Sequence, residues 1–220
     1  DHLEGALASL AEARKQGSFN VWNHPHWAAQ APNEVKWFKE HSKIYKEGLL
    51  DAIEVYNSCD GFSMEAFQWC IDKNLTLICG TDSHKPMFME LNTNAGELRP
   101  VTLIFAKDKS QESLRQALLD GNAIAYGWGT LSGEEALLKD LFKASVQTRV
   151  ERTDAKGTRT VAITNMTSIG YTLRIEGDNP FLLDPFTTAT VQVAAGEKLL
   201  LSVENMWCGA EEHPVVELDF

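Results

Sequence analysis

Long apolar runs are missing from this 220-residue sequence. None approaches the roughly 20 residues that span a bilayer, so no membrane-crossing helix is expected. A basic surplus is missing as well: acidic residues outnumber basic ones 31 to 20, for a formal charge of -11. Coating nucleic acid or resting on anionic lipid needs clustered positive charge, so neither partner is expected. An anionic substrate stays open, because bound cations reverse the local sign. Cysteine is scarce. Cys59, Cys70, Cys79 and Cys208 form no CxxC pair and no zinc-knuckle spacing. Cys70 and Cys79 lie in apolar runs, and buried free thiols are the reading they support. The opening Asp1-His2-Leu3-Glu4 lacks the basic and apolar stretches of a signal peptide. It also lacks an initiator Met and reads as a processed, truncated or subcloned start.

What is present is an ordinary globular composition, 44% hydrophobic and 23% charged, enough to bury a sizeable core. The first two thirds alternate helical and strand patterns. Leu3 to Lys15, Val35 to Lys46, Met64 to Lys73 and Gln111 to Leu119 read as helices, the last capped by Ser110. Phe19–Trp22, Ala52–Tyr56, Leu75–Cys79, Val101–Ala106 and Ala123–Tyr126 read as strands. This order predicts an α/β parallel sheet with right-handed crossovers over residues 1–144. Glu134 to Lys143 is a helical connector. From residue 145 the pattern turns all-β. Six short strands separated by turn signals such as Gly177-Asp178-Asn179-Pro180 predict a small antiparallel β-sandwich over 145–220.

Two polar clusters follow predicted strands: Asn23-His24-Pro25-His26, and Gly80-Thr81-Asp82-Ser83-His84. Parallel α/β folds build their sites at the C-terminal ends of strands. Asp82 and His84 are two residues apart, so an extended backbone aims both the same way. Imidazole and carboxylate suit zinc, manganese or iron. Each residue has a plain structural alternative. Asp82 and His84 would also serve as a loop hydrogen-bond pair, and His24 as a capped loop histidine. His26, beside Trp27, reads mainly as a packing residue. His41, near Glu40 and Lys43, reads as solvated, and His2 and His213 as surface residues. Glu54 is the odd residue in Ala52-Ile53-Glu54-Val55-Tyr56: a carboxylate in a buried strand must be paired or hydrogen-bonded. It would either steady a metal-bound histidine or face outward in a salt bridge. Asn57 would contact a phosphate oxygen or simply make a turn.

Asn23-His24-Pro25, Ile53-Glu54-Val55-Tyr56-Asn57 and Gly80-Thr81-Asp82-Ser83-His84, in that order, resemble the late motifs of the PHP (polymerase and histidinol phosphatase) superfamily. The nearest likeness is to bacterial PHP phosphodiesterases that carry a β-sandwich after the barrel. Glu40 to Gly48 and Trp69 to Thr76 strengthen it. The resemblance implies a partial PHP-type (β/α) barrel over 1–144, then the sandwich, and metal-assisted hydrolysis of a small phosphomono- or phosphodiester. It assigns His24, Asp82 and His84 as ligands of divalent transition metals (zinc, manganese or iron), with Asp82 and His84 at the catalytic centre. Glu54, Asn57 and His26 are left as candidates for supporting those ligands or touching substrate. Relatives of this kind are often exported.

The likeness covers only the second half of that family's catalytic domain. Its opening His-x-His, further early ligands and a central Glu and His are expected before residue 1. Arithmetic points the same way: at roughly 30 residues per βα unit, about 130 residues hold four or five strands, against about 250 for a closed barrel. An open half-barrel with one free strand edge is therefore expected, which a homo-oligomer would close. The rival expectation is a catalytically incomplete binding or structural module that keeps the fold without activity.

Overall fold

The computed structural model describes residues 2–29, 31–92 and 98–220, which form two compact units, 1–128 and 129–220. The first holds α1 (His2–Lys15), β1 (Val21–Trp22), α2 (Lys39–Lys46), β2 (Ala52–Asn57), β3 (Gly61–Phe62), α3 (Met64–Lys73), β4 (Thr76–Gly80), β5 (Val101–Ile104), α4 (Gln111–Leu119) and β6 (Ala123–Gly127). Strand β2 is central, parallel to β1 on one side and to β4 on the other. All six of its residues are buried. Helix α3 starts where Ser63 Oγ accepts the Ala66 N–H (3.2 Å), and ends at Asn74, whose left-handed φ of 53° turns the chain into β4.

Two expectations need correction. The strands do not form one parallel sheet: β5 and β6 lie in a second sheet, paired antiparallel with Ile104 opposite Ala123, and the two-residue β3 runs back along the end of β2. Apolar periodicity carries no strand direction, and two-residue strands have no period to detect. Among the described residues the sheets are open and none closes into a barrel. Helix α2 begins four residues later than predicted, because Phe38 is extended (φ -75°, ψ 163°) and its N–H is taken by His41 Nδ1 (3.3 Å).

His41 is not solvated. Its ring lies 3.6 Å from the Trp22 ring centroid, and Trp22 stacks on Trp69 (5.5 Å, 10°). Trp37 packs edge-on against Trp22 and Trp69, with Lys73 Nζ 4.7 Å above its ring. This cluster ties α2 and α3 to β1. Burial holds the His41 pKa below its ordinary value, with Glu40 pulling the other way.

A second tie sits under β2. Arg14 Nη2 reaches both Asp51 oxygens at 2.8 Å, and Asp51 Oδ2 also accepts the Asn20 N–H (2.6 Å). Asn20 Nδ2 in turn donates to the Leu49 carbonyl (2.9 Å). Helix α1 and the start of β1 are thereby locked to the residue that opens β2.

The second unit holds β7 (Thr130–Ser132), α5 (Glu135–Ser145), β8 (Val146–Thr153), β9 (Arg159–Asn165), β10 (Tyr171–Arg174), β11 (Phe181–Leu183), β12 (Thr188–Val193), β13 (Leu199–Val203), β14 (Met206–Trp207) and β15 (Val215–Leu218). Strands β12-β9-β8 form one antiparallel sheet and β11-β10-β13-β15 another, while β14 pairs parallel with β7. Alternation puts Leu199, Leu201, Val203, Val216 and Leu218 inside and the residues between them outward. Phe142 of α5 packs edge-on against Tyr171 (5.0 Å), whose hydroxyl donates to Ser145 Oγ (2.8 Å). His213 is also not a plain surface residue, since its Nδ1 meets the Met206 carbonyl at 2.7 Å. Among the described residues, no helix is long and apolar enough to cross a membrane.

Two stability predictions follow from these ties. Asp51→Ala strands the Arg14 guanidinium and the Asn20 N–H and costs about 2–3 kcal/mol in urea unfolding. Glu12→Ala, at an exposed pair with Lys15, stays within about 0.5 kcal/mol. For His41 the unfolded chain takes up a proton near pH 6.5 that the folded state resists. Its contribution is therefore complete above about pH 6.5 and is lost as pH falls below it. Unfolding measured at about pH 7.5 and 5.5 should show a smaller stability loss in His41→Phe than in wild type; an equal loss contradicts the buried neutral ring.

Candidate functional site

The polar residues at the ends of β1, β2 and β4 meet around one buried carboxylate. Glu54 is 3% exposed and Asn57 is fully buried. Glu54 is buried rather than turned outward in a salt bridge. Register explains how Asn57 joins it. Glu54 pairs with Ile78 but Tyr56 pairs with Cys79, so Val55 is an extra residue in the strand. That bulge shifts the alternation and brings Asn57 onto the face of Glu54, where its Nδ2 donates to Oε1 (3.2 Å). Asn57 Oδ1 accepts the Cys59 N–H (2.8 Å), which settles the orientation of the amide.

His24 follows β1 with a φ of 54°, a conformation costing roughly 1–2 kcal/mol outside glycine. There both its backbone N–H and its ring reach the same oxygen: N to Glu54 Oε2 is 2.8 Å, and Nδ1 to Oε2 is 2.6 Å. A bare Nδ1 lone pair this close to a carboxylate would be repelled, which favours the tautomer with the proton on Nδ1, where the ring meets Glu54 as a close polar contact. The 3.0 Å approach of Asn57 Nδ2 to Nδ1 is then a contact between two donors that share one carboxylate. Nε2 is left as a bare acceptor. It faces Asp82 Oδ1 at 3.8 Å, too far for a hydrogen bond.

Two acceptors facing each other at that spacing suit a cation between them. Metal–nitrogen and metal–oxygen bonds of about 2.0–2.2 Å span it with an obtuse angle at the ion. His24 and Asp82 therefore fit a divalent metal, with Glu54 holding the histidine from behind. Asp82 too has a left-handed φ, 50°. His84 does not complete the set. Its side chain is 81% exposed, and its Nδ1 lies 2.7 Å from the Asp82 carbonyl and 3.9 Å from Oδ1. Among the described residues no three His, Cys, Asp or Glu side chains gather as a metal-binding group.

His26 stands apart, with Nε2 on the Asp60 carbonyl (2.9 Å) and a buried Nδ1 without a hydrogen-bond partner. Trp27, expected to pack beside it, is 47% exposed. Cys59 is exposed rather than buried. Its thiol pKa is pushed up by desolvation and then by the charges of Asp82, Asp60, Glu90 and Glu54. That of Cys79 is raised to about 12, chiefly by burial. Sequence reasoning missed the bulge and Gly80. A Cβ on Gly80 would stand 1.8 Å from Glu54 Oε1, so glycine alone makes room for the carboxylate. Gly80→Ala should therefore cost about 1–3 kcal/mol of stability and displace the His24 ring resonances in NMR spectra; unchanged spectra contradict the cradle.

No protein-family model and no curated protein matches this sequence. A solved structure does: a two-domain protein from Bacteroides vulgatus ATCC 8482, described as containing a predicted PHP-like metal-dependent phosphoesterase. Identity is 32%, and the TM-score is 0.88 over 96% of this chain. The chain spans 64% of that protein's chain. The late motifs that end at Gly80-Thr81-Asp82-Ser83-His84 thus lie in a fold shared almost throughout with a protein described as PHP-like.

Proposed function

We propose that this chain supplies the late metal ligands of a metal-dependent phosphoesterase acting on a small phosphomono- or phosphodiester. The observation that carries the reading is the Glu54–His24–Asp82 line, a carboxylate-oriented imidazole whose free nitrogen faces a second carboxylate across 3.8 Å. The description of the Bacteroides protein as a predicted metal-dependent phosphoesterase supports it. In this reading the α/β unit is part of an incomplete PHP-type barrel, and the two antiparallel sheets of the second unit form a β-sandwich.

His24 Nε2 and Asp82 Oδ1 would hold a zinc, manganese or iron ion. His84 would join them by swinging its exposed ring off the Asp82 carbonyl. Such an ion lowers the pKa of bound water and neutralises phosphoryl oxygens. The chain's own residues do the positioning. Glu54 keeps His24 in the Nδ1–H tautomer and so presents Nε2 as a ligand. Asn57 steadies Glu54 by donating to its other oxygen. The Asp82 and Glu54 carboxylates repel a phosphoester until bound cations reverse the local charge, so substrate binding depends on metal loading.

A second reading, a metal-free binding or structural module, draws on the absence of a three-ligand group among the described residues. Elemental analysis after purification without chelators separates the two. In the whole protein, His24→Ala or Asp82→Asn should abolish hydrolysis of bis-p-nitrophenyl phosphate. Glu54→Gln should weaken metal binding by about 10–100-fold. Hydrolysis retained in both ligand variants would overturn the assignment.

A further inference from the structure

The second unit carries a cavity that the phosphoesterase reading does not use. Its volume is about 450 Å3, and it lies on the outward face of the β11-β10-β13-β15 sheet. Its floor is one rung across three strands: Arg174 pairs with Ser202, and Ser202 with Val215. Leu200, two residues before Ser202 on the same face, extends the floor. Leu200 and Val215 are 45% and 50% exposed, an apolar strip in an otherwise polar recess. Glu176 and the 209–213 loop, which contributes Glu211 and His213, form the walls.

Arg174, Ser202 and His213 are fixed in place. Arg174 gives Nε–H and one Nη2–H to Glu204 Oε1 (3.1 and 3.0 Å), and Ser202 Oγ donates to the same oxygen (2.5 Å). The remaining Arg174 N–H groups have no partner among the described residues. His213 spends its Nδ1–H on the Met206 carbonyl (2.7 Å) and rests edge-on against Trp207, so Nε2 is a bare acceptor. The loop is pinned by Cys208 and Glu212, with Cys208 N donating to the Glu212 carbonyl (3.0 Å). Glu176 and Glu211 have no cationic partner among the described residues.

An anion would face Glu176 and Glu211, which have no cationic partner among the described residues, and a simple cation would leave the unshared N–H donors of Arg174 unused. A neutral molecule rich in hydroxyls satisfies both, donating to Glu176, Glu211 and His213 Nε2 and accepting from Arg174. Its C–H face would lie on Leu200 and Val215. The geometry points to a carbohydrate-binding subsite, taking one or two sugar rings, on the outer face of this sheet. The subsite uses none of the residues proposed to hold a metal.

The test is 1H–15N NMR of the full chain titrated with glucose, galactose, mannose, N-acetylglucosamine, maltose and cellobiose, with putrescine as the cation control. At least one sugar should give saturating shifts, with millimolar affinity, at the amides of residues 174–176, 200–202 and 211–215. Glu176→Gln with Glu211→Gln should weaken that binding at least tenfold while leaving spectral dispersion unchanged. Arg174→Met, checked for folding the same way, should do likewise. Silence with every sugar overturns the proposal, and so does a response to putrescine alone. Shifts that survive both sets of variants also overturn it, by placing the sugar elsewhere.

Discussion

A buried carboxylate must be satisfied by donors or it destabilises the strand that carries it. Glu54 meets that requirement with two hydrogen bonds, from the His24 backbone N–H and the Asn57 amide, and with the His24 ring 2.6 Å from Oε2. Each condition around it follows. Gly80 has to lack a side chain, Val55 has to be an extra residue, and His24 has to accept a left-handed backbone. The outcome is an imidazole with one nitrogen occupied and the other turned toward Asp82. Burial of Glu54 in β2 and the left-handed backbone of His24 thus set the direction of that ring.

The scaffold beneath serves the same end. The Arg14–Asp51–Asn20 network registers β1 against the start of β2, and the Trp22–His41–Trp69 stack holds α2 and α3 against β1. Both act on the short strand that delivers His24. Parallel pairing of β1, β2 and β4 brings their C-terminal ends to one edge, where loops from residues distant in sequence converge.

Much of this was legible in the residues. Strand ends followed by His, Asp and Asn locate a polar edge, and the helix punctuation at Ser110 is simple chemistry. Other features depend on partners that no local pattern displays. The direction of β5 against β6 leaves no trace in apolar alternation. The bulge at Val55 appears only against the register of β4, so Asn57 reads as a turn residue. His41 has charged neighbours in sequence, but its environment is made by Trp22 and Trp69, 19 and 28 positions away. His84 obeys the i, i+2 geometry of an extended chain only if Asp82 is extended, and Asp82 is left-handed instead.

The most direct test of the account is the tautomer of His24, read from the 15N shifts of its two ring nitrogens. The account predicts a protonated Nδ1 and a bare Nε2, with Nε2 alone moving when zinc is added. A protonated Nε2, or zinc-induced movement of Nδ1 instead, would contradict it.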